Sequence, residues 1–433
     1  MRNIFVSAGL ISLAFAATPA SAAPWVRGYV VDAYEPAFYF GGKLSQDDLG
    51  TDCPKGAVPD NDYAKILKTS WRSDAEVKKL MTPVEGREPG GIMAPGLSYR
   101  GFRPDIETYI NPFAAPDPGF QQVTGKIAEG FNLDNNPRTG FSGTKGEAGI
   151  DNNFYRVMGC TLTYRGAPWK GYLSERSTDK MVDGHYTMVI RVSGNQDPMN
   201  DADAVVEVGY SPDQMVKDPM GKVTPDYSYR LAKSAQFTKL KARIRGGVIE
   251  TEQKDIRMPE FSWAESNRGE ALFQKGKMRL TMNNDGTLLG MAGGYRDWRE
   301  IYGRDTFNIP SGGPTRETFY HQNQIGMFYA LRRNADGIPD ATTGQNTGIS
   351  TAYRIRALPA FVVDPRQPVV IDQQAGERPY QERDAFMRAL TTRTLQAPPP
   401  SGSGGGGYYR STTPAPAPVP GQASNSTGAT AVR

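Results

Sequence analysis

Glycine and proline interrupt this chain so often that long helices have little room in it. The 433 residues include 48 glycines and 33 prolines, nearly a fifth of the total. Both residues break regular helices and favour turns. The sequence therefore predicts short strands joined by turns, with helices confined to a few stretches.

Most of the chain between residues 121 and 294 has the β-branched and aromatic composition of strands. Residues 239–245 alternate polar and apolar side chains, so one face of that strand should meet water. Asn-Asp-Gly at residues 284–286 predicts a hairpin turn. The other predicted strands cover 155–164, 185–192, 204–210, 237–250, 277–282, 287–295 and 353–363. This pattern predicts a mainly β fold, with an antiparallel β-sandwich or jelly-roll-like core and a few flanking helices.

Two helices have a clear sequence signal. Ser73 with Glu76 three residues later forms a capping box, which predicts a short helix to Met81. Residues 315–333 predict the longest helix, because their apolar side chains fall on one face. Two arginines at 332–333 stand at its C-terminus, where the helix dipole favours cations.

Composition divides the chain into four segments. Residues 1–22 have the basic start, apolar run and Ala20-Ser21-Ala22 cleavage site of a secretory signal peptide. Residues 23–120 predict strands, short helices and a long loop packed on the core. Residues 121–396 predict the β-rich main domain with its flanking helices. Residues 397–433 are rich in Pro, Gly and Ser and predict a disordered tail.

The signal peptide predicts an exported protein, periplasmic or secreted. No later stretch approaches the roughly 20 apolar residues that a transmembrane helix needs, so no transmembrane segment is expected. The chain has 50 basic and 46 acidic residues, a net charge of +4. No block of basic residues marks a nucleic-acid-binding surface, so no nucleic-acid partner is expected.

Cys53 and Cys160 are the only cysteines of the sequence. Export places them where thiols are oxidised, so a single disulfide between them is the expected arrangement. Two free thiols or a metal pair are the alternatives. With two histidines and no CxxC motif, the sequence gives zinc and covalent haem little support.

Two oxygen-rich loops could hold calcium, which binds six to eight hard oxygen ligands. The first loop has Asp, Asn and Glu on both sides of a Gly-rich turn, and the second leads directly into a predicted strand. The alternative for both loops is turn chemistry, in which the same side chains bond to backbone amides. The candidate ligands are Asp134, Asn136, Glu147 and Asp151 in the first loop, and Asp197, Asn200, Asp201 and Asp203 in the second.

Catalytic motifs are sparse. The GxSxG motif of serine hydrolases is absent. Tyr320 and His321 belong to a polar run on the longest predicted helix, and this run could line a pocket with His321 as acid or base. An exposed helix face is the alternative. Carboxylates on several strands could form the pair that a glycosidase needs, but the sequence alone does not pair them.

Aromatic groupings offer a possible binding surface. Trp169 lies near Tyr172 in the sequence, and Tyr295 lies near Trp298. Such rings bind sugars when they are exposed, and the alternative is ordinary core packing.

These observations lead to the hypothesis of an exported envelope protein, a non-catalytic binding or structural β-sandwich stabilised by calcium. Its partner would be a glycan or another component of the cell envelope. The alternative hypothesis is a secreted polysaccharide hydrolase or lyase. No cofactor other than calcium is expected.

Overall fold

The computed structural model describes residues 24–41, 73–82, 117–161, 164, 166–170, 178–179, 181–182, 186–232, 238–262, 267–307 and 324–364. The predicted signal peptide and the predicted tail lie outside the described residues.

Eight antiparallel strands close into a barrel, and they follow one another around it in chain order. The last strand pairs back with the first, with Gly28 opposite Ala360. The barrel strands are β1 (Trp25–Pro36), β4 (Thr187–Gly194), β5 (Ala204–Ser211), β7 (Thr238–Arg245), β8 (Val248–Thr251), β10 (Asn267–Met282), β11 (Leu288–Asp297) and β13 (Asn346–Val363). Five shorter or flanking strands complete the set: β2 (Ile127–Ala128), β3 (Ser142–Gly143), β6 (Ser228–Arg230), β9 (Lys254–Ser262) and β12 (Gly337–Pro339).

The mainly β prediction is confirmed, but the predicted sandwich or jelly roll is replaced by this closed barrel. Both architectures produce many short strands separated by turns, so local sequence patterns do not distinguish them. The distinguishing feature is the pairing of β1 with β13, which joins the two ends of the described chain. β1 lies in the predicted N-terminal segment, and it is itself a wall of the barrel.

Apolar side chains fill the barrel. In β7, Leu240, Ala242 and Ile244 are buried, while the lysines and arginines between them are exposed. The alternation predicted for residues 239–245 is therefore confirmed. Ile190 of β4 and Leu280 of β10 are fully buried in the same core. Each such aliphatic side chain contributes roughly 1.5–3 kcal/mol by leaving water, so this interior is the main source of stability.

The described residues form four helices: α1 (Asp74–Met81), α2 (Asn153–Met158), α3 (Trp298–Phe307) and α4 (Gln324–Arg333). Three of them build a second apolar core, which contains Phe154 and Met158 of α2, Tyr302 of α3, and Phe328 and Leu331 of α4. The extent predicted for α1 is confirmed. None of the helices in the described ranges has the length and apolar character needed to cross a membrane.

Residues 155–164 were predicted as a strand, and this prediction is wrong because α2 occupies their first part. The side chain of Asn152 caps this helix by accepting a hydrogen bond from the Tyr155 amide at 3.1 Å. The residues Phe154, Tyr155, Val157 and Met158 are all buried. A short helix that is buried on most sides shows no amphipathic period, so its composition resembles that of a buried strand.

Turns correct two further boundaries. The strand predicted for residues 237–250 is two strands, separated by Gly246 and Gly247, which have φ values of 54° and 78°. Glycine adopts such left-handed values without strain. The hairpin predicted at residues 284–286 is confirmed, because the Gly286 amide donates a hydrogen bond to the Asn283 carbonyl at 3.0 Å. Of the longest predicted helix, residues 324–333 form α4, and residues 315–323 lie outside the described ranges.

The segment from residue 127 to residue 151 packs on the outer face of β11. A Cβ atom at Gly293 would lie 2.7 Å from the ring of Phe131, so glycine permits this close approach. Phe131, Leu133 and Tyr295 form a small apolar cluster there. The segment is closed on itself by backbone bridges, one of which joins Phe131 to Asp151. The first oxygen-rich loop is thereby fixed against the barrel wall.

Candidate functional site

The first oxygen-rich loop uses its side chains to fix its own backbone. Asp134 accepts a hydrogen bond from the Asn136 amide at 2.7 Å. Asp151 accepts hydrogen bonds from the amides of Leu133 at 2.7 Å and Asp134 at 3.2 Å. Asn136 and Glu147 each accept a hydrogen bond from an amide two residues away. This is the turn chemistry that the sequence left open as the alternative to calcium.

The second oxygen-rich loop is organised in the same way. Asp201 is fully buried and accepts hydrogen bonds from the Trp25 indole at 3.2 Å and from three loop amides, including that of Asp203, at 2.9 Å each. Burial raises the pKa of Asp201, but these donors outweigh it, so its pKa lies below the usual range. Asp197 accepts a hydrogen bond from the Asn200 side chain at 3.0 Å.

Within the ranges that the structure describes, no three His, Cys, Asp or Glu side chains are grouped so that they could hold a metal ion. The carboxylates of Asp134, Asp151, Asp197 and Asp201 already accept hydrogen bonds from the chain. Calcium stays a prediction, and the hydrogen bonds favour turn chemistry as the interpretation of both loops.

We expect that EDTA will change the melting temperature of the mature, oxidised protein by less than about 1 °C relative to excess calcium. The hydrogen bonds of the two loops need no cation to balance them. If a calcium site were present, calcium at a hundredfold over its dissociation constant would add about 2.7 kcal/mol to the free energy of unfolding. For a domain of this size, that raises the melting temperature by a few degrees. A drop of about 3 °C or more on chelation would contradict the turn interpretation.

Four of the predicted site residues, Cys53, Tyr172, Tyr320 and His321, lie outside the described residues. Cys160 is buried and disulfide-bonded, and Cys53 is the one other cysteine of the sequence. The pairing of these two cysteines and the acid or base role of His321 stay predictions.

The aromatic groupings were considered as a possible sugar-binding surface, and three of their residues are described: Trp169, Tyr295 and Trp298. Their surroundings do not support an exposed aromatic surface. The half-buried Trp169 donates its amide hydrogen to the Glu35 carboxylate at 3.0 Å, and the Arg356 guanidinium lies 5.4 Å from the centre of its ring. Tyr295 and Trp298 are each only 4% exposed. Core packing accounts for these two rings, although Trp298 also reaches the wall of a cavity.

That cavity has a volume of about 420 Å³ and lies at the end of the barrel where β11 ends and β13 begins. We call it the arginine cavity. Its walls come from the start of α3, the end of α4 and the loop before β13. Its principal lining residues are Trp298, Arg299, Tyr329, Arg332, Gln345 and Asn346. Its volume is in the range of ordinary small-ligand sites, roughly 300–1,000 Å³.

Hydrogen bonds hold the arginine side chains of this cavity in place. Asp297 accepts hydrogen bonds from the amide and the Nε of Arg299 at 2.9 Å each. Burial lowers the pKa of Arg299, but the hydrogen bonds and charge of Asp297 raise it by more, so the pKa lies above its ordinary value. Arg332 donates a hydrogen bond to Gln345 Oε1 at 3.5 Å. Arg333 at the rim forms an ion pair with Asp117. Asp297 and Asp117 therefore fix the orientation of the Arg299 and Arg333 guanidinium groups.

A pair of carboxylates lies close to the same end of the barrel. Asp336 accepts hydrogen bonds from the Ser350 amide at 2.7 Å and the Ser350 hydroxyl at 2.6 Å. Burial raises the pKa of Asp336 to about 6, and the charge of Asp151 adds to this effect. Burial raises the pKa of Asp151, and burial with the nearby carboxylates raises the pKa of Tyr295.

Sequence reasoning found Trp298 and the arginines at 332–333, but not the cavity that brings them together with Arg299 and Gln345. These residues belong to separate stretches of the chain, at 298–299, 332–333 and 345, and the fold brings the three stretches together. No family model, no curated protein and no solved structure matches this chain.

Proposed function

We propose that this chain is an exported, non-catalytic binding protein of the cell envelope, and that it binds a glycan in the arginine cavity. The observation that carries the proposal is the cavity's combination of guanidinium groups, planar amides and a half-buried tyrosine ring. Guanidinium and amide groups match the paired hydroxyl and carboxylate oxygens of sugars, and an aromatic ring suits the apolar face of a pyranose.

The charge of the lining favours an acidic glycan over a neutral one. Arg299, Arg332 and Arg333 all contribute to the cavity, and the paired Asp297 and Asp117 hold two of these guanidinium groups from outside its lining. Arginine binds a carboxylate through two parallel hydrogen bonds, which adds geometric selectivity to charge attraction. The proposed ligand class is therefore a polysaccharide with uronic acid residues.

Replacing Arg332 by glutamine should weaken binding of an acidic oligosaccharide about tenfold, because a hydrogen bond to a charged group contributes about 1.5–3 kcal/mol. We would measure equilibrium binding of an oligogalacturonate, with dextran as the neutral probe. Wild-type binding should also weaken as salt screens the charges.

The matched control for this experiment is Arg243→Gln, an exposed arginine on the outer face of β7. This variant should bind as tightly as the wild type. Absence of oligogalacturonate binding by the wild type, or equal affinities of Arg332→Gln and wild type, would contradict the proposed site.

One observation favours the second candidate, a polysaccharide hydrolase or lyase. A carboxyl group with a pKa of about 6, as found at Asp336, suits a general acid. Against it, Asp336 and Asp151 accept hydrogen bonds from the chain itself and are not among the described residues that line the arginine cavity. Release of new reducing ends or unsaturated products from polygalacturonate would support the enzyme, and unchanged polysaccharide would support the binding protein.

A further inference from the structure

A second cavity lies at the other end of β13, where this strand ends beside the start of β1. Its volume is about 640 Å³. We call it the barrel-mouth groove, and its principal lining residues are Val26, Arg27, Met199, Asn283, Phe361 and Val363. The β10–β11 hairpin turn forms one wall. The mouth of a closed barrel is a common position for small-molecule sites.

Apolar side chains of this groove face water. Phe361 is 59% exposed, Val26 63% and Val363 43%. Large apolar side chains that stand together in a concave surface mark a place where a ligand or partner excludes water. The groove therefore favours an occupant with an apolar part.

The same groove carries a cation with weak partners. Arg27 Nη1 lies 3.6 Å from Met282 Sδ, and its guanidinium also bonds to the Tyr29 hydroxyl. A thioether sulfur is a poor acceptor. Among the described residues, no carboxylate forms an ion pair with Arg27. Hydrogen bonds from Asn200 and Met199 lower the pKa of Asp197, and the charge of Arg27 lowers it by a smaller amount.

The other charged residue of the lining is Asp226, which belongs to the loop before β6. Its backbone amide donates a hydrogen bond to the Pro359 carbonyl at 2.7 Å, so this loop is fixed beside the end of β13. Arg27 and Asp226 do not form an ion pair with each other among the described contacts. Arg27 therefore keeps donors for an anionic head, whereas the Asp226 carboxylate only accepts hydrogen bonds and cannot bind such a head.

We infer that the barrel-mouth groove binds a single-chain amphipathic anion. The apolar chain would lie on Phe361, Val26 and Val363, and the anionic head would accept hydrogen bonds from the Arg27 guanidinium. This site is independent of the glycan site, because it lies at the other end of the barrel and shares no lining residue with it.

Dodecanoate is the probe, and the mature, oxidised full chain is titrated with it by calorimetry below the concentration at which the probe forms micelles. Affinity should rise several-fold for each two CH₂ groups added from octanoate to dodecanoate, because each buried CH₂ strengthens binding. Dodecyltrimethylammonium has the same chain with a cationic head and should bind at least tenfold more weakly.

Two variants separate the head from the chain. Arg27→Gln should weaken dodecanoate binding about tenfold and should not weaken binding of the cationic probe, because the variant removes a like charge. Phe361→Ser should weaken both probes several-fold. The matched controls are Arg243→Gln and Leu289→Ser, since Leu289 is also an exposed apolar residue (38%) but does not line the groove.

Three results would overturn the inference: no dodecanoate binding at submillimolar concentration, equal affinity of Arg27→Gln and wild type, or equal losses in Leu289→Ser and Phe361→Ser. Co-sedimentation with phosphatidylglycerol vesicles tests the other source of an anionic head and acyl chain. Binding to vesicles without binding to dodecanoate would also overturn it, because the groove would then contact a membrane surface and not a free amphiphile.

Discussion

Replacing Arg354 by methionine should lower the free energy of unfolding by about 3–5 kcal/mol, because it leaves two carboxylates near the barrel wall without their counter-charge. Arg354 of β13 donates hydrogen bonds to Glu35 Oε1 at 2.8 Å and to Glu129 at 2.8 and 2.9 Å. The Glu35 side chain is only 3% exposed. Burial lowers the pKa of Arg354, but Glu129 and Glu35 outweigh it, and the net shift is upward.

This cluster joins three parts of the chain. Glu35 belongs to β1, and Glu129 belongs to the segment that carries the first oxygen-rich loop. Glu35 also accepts the Trp169 amide, and Arg354 donates to the Phe38 carbonyl at 2.7 Å. Loss of Arg354 should therefore loosen the packing of the 127–151 segment on the barrel.

Urea unfolding monitored by circular dichroism measures the effect. The matched control is Arg279→Met on β10, where Arg279 pairs with Glu250 at 2.9 Å and both side chains are at least half exposed. Ion pairs that water reaches contribute about 0–1 kcal/mol, so this control should cost about 1 kcal/mol or less. If Arg354→Met does not fold, the triple variant Arg354→Met, Glu35→Gln, Glu129→Gln should recover a folded protein. Equal losses in Arg354→Met and Arg279→Met would contradict the role of the buried cluster.

Asp336→Asn should remove a pH dependence of stability worth about 2–3 kcal/mol. The pKa of Asp336 is about 6 in the folded protein and 3.8 as its ordinary value. Between these pH values the folded state holds a proton that the unfolded state has lost. The contribution of Asp336 to stability is therefore complete below about pH 3.8 and is lost as the pH rises through about 6.

Unfolding free energies at about pH 4.5 and pH 7.5 measure this difference. Relative to Asp336→Asn, the wild type should gain about 2 kcal/mol of stability on acidification. The control is Asp340→Asn: hydrogen bonds from Thr343 lower the pKa of this exposed carboxylate, so its titration falls below the chosen window. The Asp340→Asn curve should run parallel to that of the wild type. A parallel curve for Asp336→Asn would show that the carboxylate titrates normally.

The strand content was predictable because a strand with one solvent-exposed face alternates polar and apolar residues, as the residues around Leu240 do. The closure of the sheet was not, because it depends on the pairing of Gly28 with Ala360, and no local pattern reports so distant a contact. Helix α2 was missed because its buried residues, from Phe154 to Met158, leave no periodic polar face.

The candidate site shows the same limit. Composition identifies the oxygen-rich loops, but it does not show the backbone donors that face Asp151 and Asp201 and favour turn chemistry over calcium. The arginine cavity is assembled from Arg299, Arg332 and Gln345, which belong to three separate stretches of the chain. The packing of the helices on the barrel brings these residues together, and no single sequence motif predicts the cavity.

Hydrogen exchange of the mature, oxidised protein with and without saturating oligogalacturonate tests the central claim, a glycan site in the arginine cavity. Amides at residues 329–335 and 343–347 should exchange more slowly with the ligand, because they belong to the walls of that cavity. Amides of the barrel-mouth groove, at residues 26–29 and 359–363, should be unchanged. Unchanged exchange at the cavity walls, or slower exchange only elsewhere, would contradict the claim.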